Sequence, residues 1–359
     1  MKKIKLVLVL GVYLVFVSAF IFPGNAFAQK KMWRLGTVNP GAYGYKIAGF
    51  LSDFLRKALP EYDVTVYPFA NTTATMKSFL VGEQEACYSA EPGLRKLYAF
   101  KKPFAGFEAN VKQMPAQSFW TYTMETFIFT LPKNKDKYRS WSDLNGKRIY
   151  LSKGGYMNHI NIRRAMEDIC GMKVKHVEID MTKAADALRV GTIEATVAYT
   201  TALTSLAGWL KILDVTMPLQ GVNPSPEQIK KLSAAGFTPV KINVKKAFTQ
   251  DLGVPELYGV PFFFGYHMPL SFPAEDVYRM LKAIETGAAE LAKLDSGFGP
   301  LAEDSAGFQV RGIQSFPEMP VHPGLAKYLK EKGLWNPSWV VATPETIKAA
   351  IKNMKENVR

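Results

Sequence analysis

Two short stretches carry the residue types from which a binding site is built. The first, "LGTVNPGAYGYKIAG" (Leu35–Gly49), reads as a strand end, a Gly-punctuated turn and the start of an amphipathic helix. The second, "KRIYLSKGGYMNHINIRRAMEDIC" (Lys147–Cys170), repeats that order. A helix that starts in such a turn points its unpaired N–H groups back into it and makes a cradle for an anion. Asn39, Thr72, Thr73, Gly154, Gly155 and Asn158 fall in turns that open helices, and they are the expected donors to one carboxylate or similar head group. Lys153 adds a positive charge beside the second turn. Tyr43, Tyr45, Tyr88, Tyr156 and Tyr199 lie next to these turns and are expected to wall the body of a ligand, although core packing accounts for a single Tyr equally well.

Catalytic constellations do not emerge. The chain has no G-x-S-x-G elbow, no H-E-x-x-H and no Walker loop. Its four histidines, His159, His176, His267 and His322, are far apart in sequence and not at metal-ligand spacing. The first turn lacks the G-x-G-x-x-G spacing of a dinucleotide site. The paired carboxylates Glu83/Glu85 and Glu275/Asp276 read as solvated faces. The expectation is a protein that is not an enzyme and has no metal and no cofactor.

The elements that must hold these turns follow from the periodicity. "YDVTVYPF" (Tyr62–Phe69) alternates as a strand does, and a helix from about Thr73, stopped at Gly82, leads to a third strand. Strands alternating with helices predict a parallel sheet with crossover connections. "RIYLS", "VKHVEID" and "IEATVAY" repeat the pattern around the helix "TKAADALRVG". Two long apolar strands, Trp120–Leu131 and Tyr258–Leu270, stand between the two α/β units and are expected to pair as a hinge. Residues 29–123 with 270–359 then form one lobe and residues 124–269 the other.

At the N-terminus, Lys2, Lys3 and Lys5 precede the apolar run Leu6–Phe22, and "AFA" at Ala26–Ala28 is a small-x-small cleavage site. That is the pattern of a secretory signal peptide cleaved after Ala28, so residues 29–359 are expected to work outside the cytoplasm. The net charge of +14 suits anionic partners, but the lysines are scattered and nucleic acid is not expected. Cys87 and Cys170 sit in stretches assigned to different lobes and are expected to remain free thiols.

Several of these blocks together resemble the TAXI branch of the TRAP-transporter solute receptors. "LGTVNPGAYGYKIAG" resembles that family's opening strand and Gly/Tyr turn. "NTTATMKSFLVGEQEACYSAEP", closed by Glu91, is similar to its ligand-binding turn, helix and following strand. "SWSDLNGKRIYLSKGGYMNHINIRRAME" is the most specific match, and "AADALRVGTIEATVAYT", "PAEDVYRMLKAI" and "PVHPGLAKYLKEKG" continue the order. The resemblance implies a type II periplasmic-binding-protein fold: two α/β lobes joined by crossing strands. It also implies a monomeric periplasmic receptor that closes on a small organic anion and delivers it to TRAP membrane permease subunits. A receptor for an ABC permease or a sensor is the alternative, with a periplasmic enzyme on the same scaffold behind it. Where the family has small residues in its second Gly turn, this chain has Tyr156 and Met157. That departure predicts a ligand body bulkier or more apolar than glutamate, or a dicarboxylate that uses Lys153.

Overall fold

The apolar strand "FWTYTMETFIFT" is buried along almost its whole length, and it forms the spine of the molecule. The computed structural model describes residues 30–357. In chain order the strands are β1 (Lys31–Thr37), β2 (Tyr62–Pro68), β3 (Cys87–Ala90), β4 (Phe119–Thr130), β5 (Arg148–Tyr150), β6 (Lys175–His176), β7 (Ala195–Thr201), β8 (Ser205–Leu206), β9 (Gln220–Val222), β10 (Val240–Ile242) and β11 (Leu257–His267). The helices are α1 (Tyr43–Ala58), α2 (Thr72–Leu80), α3 (Glu91–Tyr98), α4 (Met157–Arg163), α5 (Ala184–Arg189), α6 (Gly208–Thr216), α7 (Pro226–Ala234), α8 (Val244–Ala247), α9 (Ala274–Leu294), α10 (Gly299–Ser315), α11 (Pro323–Glu331) and α12 (Pro344–Asn357). Among the described residues no helix is long and apolar enough to cross a membrane. The leader expected at residues 1–28 lies outside the described residues.

β1 and β2 form a two-stranded sheet, and the others a nine-stranded mixed sheet in the order β10-β11-β4-β7-β5-β6. In that larger sheet β3 also pairs with β11, β8 with β7 and β9 with β4. The two long strands pair antiparallel as expected, with Val260 opposite Thr126 and Phe262 opposite Met124, and a bulge falls between Phe264 and Gly265. β5 runs parallel to both β6 and β7, with α4 and α5 in the crossovers.

The core changes hands along these strands. Phe119, Trp120, Tyr122 and Met124 of β4 pack in a cluster with α1, α3 and the long C-terminal helices, whereas Phe127, Ile128 and Phe129 belong to the clusters around β5 to β10. β11 does the same, with Phe262, Phe264 and Tyr266 in the first cluster and Leu257 and Val260 in the others. Two α/β lobes joined by crossing strands is therefore the fold, in agreement with the sequence expectation.

Local chemistry explains the element ends. α1 buries Ile47, Ala48, Leu51 and Leu55 on one face at helical spacing. α2 starts where Asn71 Oδ1 accepts the N–H of Ala74. Ser225 and Gln228 form a capping box on α7. The helix expected up to Cys170 starts at Met157 and runs through a π-helical turn over Arg164–Ile169. Asp276 corrects one expectation. It is buried, not a solvated face, because the Tyr62 hydroxyl donates to its carboxylate. Cys87 and Cys170 are free thiols, and burial pushes that of Cys87 up to about 12.

Candidate functional site

A cavity of about 290 Å³ lies between the two lobes. The turn from β1 into α1 brings Asn39, Tyr43 and Gly44 to it, and Thr72 comes from the start of α2. The opposite wall is the turn from β5 into α4, with Ser152, Lys153, Tyr156, Met157 and Asn158. Between them stand Tyr88 of β3, Met124 of β4, Tyr199 of β7, Trp209 of α6 and Phe264 of β11, and Asp180, Met181 and Thr182 follow β6.

The first turn needs its glycine. Gly41 has φ +92°, a conformation that L side chains resist. No side chain caps α1 and its first turn holds no acid, so the positive end of its dipole stays open at the cavity, although the Tyr45 N–H returns to the Ala42 carbonyl at 3.1 Å. The other turn is propped from behind. His159 Nδ1 lies 3.0 Å from the Leu151 carbonyl and 2.8 Å from that of Ser152, and the Leu151 N–H donates to His176 Nδ1 at 3.2 Å. The two imidazoles, distant in sequence, meet edge to face with centroids 4.8 Å apart. They hold the segment in which Ser152 adopts φ +71°. Among the described residues no group of three or more His, Cys, Asp or Glu is placed to hold a metal ion.

The lining tyrosines present rings more than hydroxyls. The Tyr43 hydroxyl donates to Asp295, which also pairs with Lys46, and burial followed by the Asp295 charge raises its pKa. Tyr88 shares a hydrogen bond with Tyr122, and burial keeps it protonated. Tyr156 donates to Asn39 Oδ1 across the cavity mouth at 2.8 Å. Burial pushes the Tyr199 hydroxyl up to about 12. Lys153 is the only Lys or Arg in the lining and Asp180 the only acid. Hydrogen bonds from the Thr182 hydroxyl (2.6 Å) and N–H (2.9 Å) hold the Asp180 carboxyl below its usual range.

Of the residues singled out in the sequence, Asn39, Tyr43, Thr72, Lys153, Tyr156, Asn158 and Tyr199 line the cavity, and Tyr88 with them. Five of the candidates do not. Thr73 is spent between the lobes: its N–H and hydroxyl donate to the Gly155 carbonyl at 3.3 and 3.1 Å. Gly155 offers its carbonyl to the facing helix and stands outside the cavity lining. The Gly154 N–H points to Glu178 Oε1 at 3.4 Å. Tyr45 sits on α1 outside the lining. Glu91 is buried at the start of α3, paired with Arg95 one turn on and with Arg164 of the other lobe at 3.7 Å. Burial raises its carboxyl, and Arg95 opposes that.

Met124, Ser152, Asp180, Met181, Thr182, Trp209 and Phe264 were not anticipated. Phe264 and Met124 sit on strands that were recognised, so their alternation was a usable signal. Trp209 lies in a helix that sequence patterning did not identify.

Residues 79–333 match the NMT1-like family. The chain belongs to that family. A search of curated proteins returned no match. Among solved structures, the periplasmic aliphatic sulphonate binding protein SsuA from Escherichia coli is similar at 14% identity and a TM-score of 0.43, covering 91% of this chain and 92% of that one. The alkanesulfonate-binding protein SsuA from Xanthomonas axonopodis pv. citri, bound to MOPS, is similar at 14% and 0.44, covering 87% and 97%. A putative L-cystine ABC transporter from Listeria monocytogenes is similar at 13% and 0.43, covering 75% and 96%.

Proposed function

We propose that this protein is an exported solute receptor that captures a small organic anion, a carboxylate, between two lobes. One observation carries the reading: a ligand-sized cavity is walled by both lobes, and the lobes hydrogen-bond to each other at its rim. The lining holds one lysine, one aspartate engaged by Thr182, and no histidine or cysteine, which supports binding over catalysis. Lys153, Asn39, Thr72, Asn158 and the start of α1 are the proposed head-group site, and Tyr43, Tyr156 and Tyr199 wall the ligand body. The lobes proposed to move are residues 29–123 with 270–359, and residues 124–269. The leader over residues 1–28 is proposed to export the chain as a monomer.

The finer reading follows the motif resemblance: a TAXI-type receptor that hands its anion to a TRAP permease driven by an ion gradient. Native mass spectrometry of the purified protein tests the receptor reading, because a closed receptor keeps its ligand, and a bound organic acid is the expected mass. Uptake of that acid by cells then tests the partner. Loss of uptake when the ion gradient is collapsed supports the TRAP assignment. Loss only when ATP is depleted assigns an ABC permease instead.

A further inference from the structure

The cavity wall defines a ligand more narrowly than "organic anion", a narrowing that rests on the receptor reading. On one side Tyr88 stacks on Phe264 with ring centroids 5.1 Å apart and planes 15° from parallel. On the other, Tyr199 and Trp209 meet edge to face at 6.3 Å. Met124, Met157 and Met181 complete the lining between them, and thioethers sit well against ring edges. The hydroxyls of Tyr43, Tyr88 and Tyr156 are all engaged by protein partners. Phe264 lies between Tyr88 and Tyr122, so the body of the ligand meets aromatic edges and sulfur, while the polar side chains Asn39, Thr72, Ser152 and Asn158 stand at the turns.

Volume and charge sharpen this further. A cavity of about 150 Å³ is enough for benzene. The 290 Å³ here accommodates one ring with a carboxylate and a substituent. At the polar end Lys153 and the uncapped start of α1 stand against one ionised carboxylate, Asp180. Asp180 is already the acceptor of two Thr182 hydrogen bonds.

We propose that the ligand is a single-ring aromatic carboxylate, its ring held between the Tyr88–Phe264 and Tyr199–Trp209 pairs and its carboxylate at Lys153. The test uses full-length mature protein, freed of co-purified small molecules by unfolding and refolding, in thermal-shift and calorimetric titrations. The probes are benzoate, 4-hydroxybenzoate, benzamide, cyclohexanecarboxylate, succinate, glutamate and benzyltrimethylammonium. Benzoate or 4-hydroxybenzoate should bind, with benzamide and cyclohexanecarboxylate each weaker by about tenfold, the equivalent of about 1.4 kcal/mol. Lys153→Met, at an exposed position, should leave the melting temperature of the free protein unchanged and erase the difference between acid and amide. Trp209→Leu should erase the difference between arene and cyclohexane.

Binding of glutamate or succinate with both arenes silent overturns the aromatic assignment and leaves the receptor reading standing. Binding of the quaternary ammonium in their place overturns the anionic head group. If none of these probes binds and no organic acid from a cell extract stays bound in native mass spectrometry, the receptor reading falls as well.

Discussion

Gly155 sits in a turn whose carbonyl joins the two lobes. Sequence marked it as a donor to a ligand, because glycine in a turn that opens a helix exposes N–H groups. The structure instead gives it φ +86° and turns its carbonyl to Thr73. A Cβ there would sit 2.8 Å from the Asn71 amide nitrogen. Gly155→Val is therefore expected to fold but not to close. Its ligand-induced stabilisation, about 2.7 kcal/mol at a hundredfold excess over the dissociation constant in the parent, should vanish in thermal-shift titration. Unchanged stabilisation would place the rim contact outside the closing mechanism. His267 is a second residue whose importance sequence could not show. It is fully buried against Trp120, accepts the Ser118 N–H at Nδ1, and burial drives its imidazole down to about 3. The unfolded chain takes up a proton near 6.5 that the folded chain refuses, so stability falls as pH drops below that value. The expected slope from this group is about 1.4 kcal/mol per pH unit. Melting curves of His267→Gln between pH 6.5 and 4 should be flatter than those of the parent.

At the scale of elements, what was legible was what is locally periodic. β4 and β11 were recognised from unbroken apolar runs, and their pairing from length and position. α6 escaped because "GWLKILDVT" exposes Ile212 and Val215, so its apolar residues do not form one buried stripe. The lobe-to-lobe contacts were invisible because they join residues 82 and 117 positions apart. Gly93 is a third such contact: it lets the Met157 side chain of α4 pack against α3, where a Cβ would lie 2.4 Å from the sulfur. Thr73→Val keeps the N–H bond to Gly155 and loses the hydroxyl one, and Tyr156→Phe frees Asn39. Each hydrogen bond contributes about 1 kcal/mol to the closed arrangement. The double variant should show a larger radius of gyration without ligand and an apparent affinity lower by roughly one order of magnitude or more. An unchanged scattering curve would mean that packing alone holds the lobes together.

In the whole molecule, two lobes share two continuous strands, so rotation needs only small dihedral changes where the core passes from one cluster to the next. Ligand shifts that equilibrium only through contacts that differ between open and closed forms. The rim bonds join protein groups on both sides and need no ligand atom, so the parent protein is expected to scatter as a compact monomer before ligand is added and to contract little afterwards. A large contraction would instead show that the free protein is mainly open. The α/β class was readable because it follows from strand length and alternation, while the cavity wall depends on side chains that meet only after folding. The cap that Gly155 places on the start of α2 also sets a clock. On the proposed receptor reading, a solute enters only after that carbonyl lets go of Thr73, which would gate capture. Trp209, in the wall, reports the event by fluorescence. In stopped-flow mixing, the observed association rate should rise with ligand concentration and then level off at the rate of lobe opening. Dissociation should be slow, because release waits for the same contact to break.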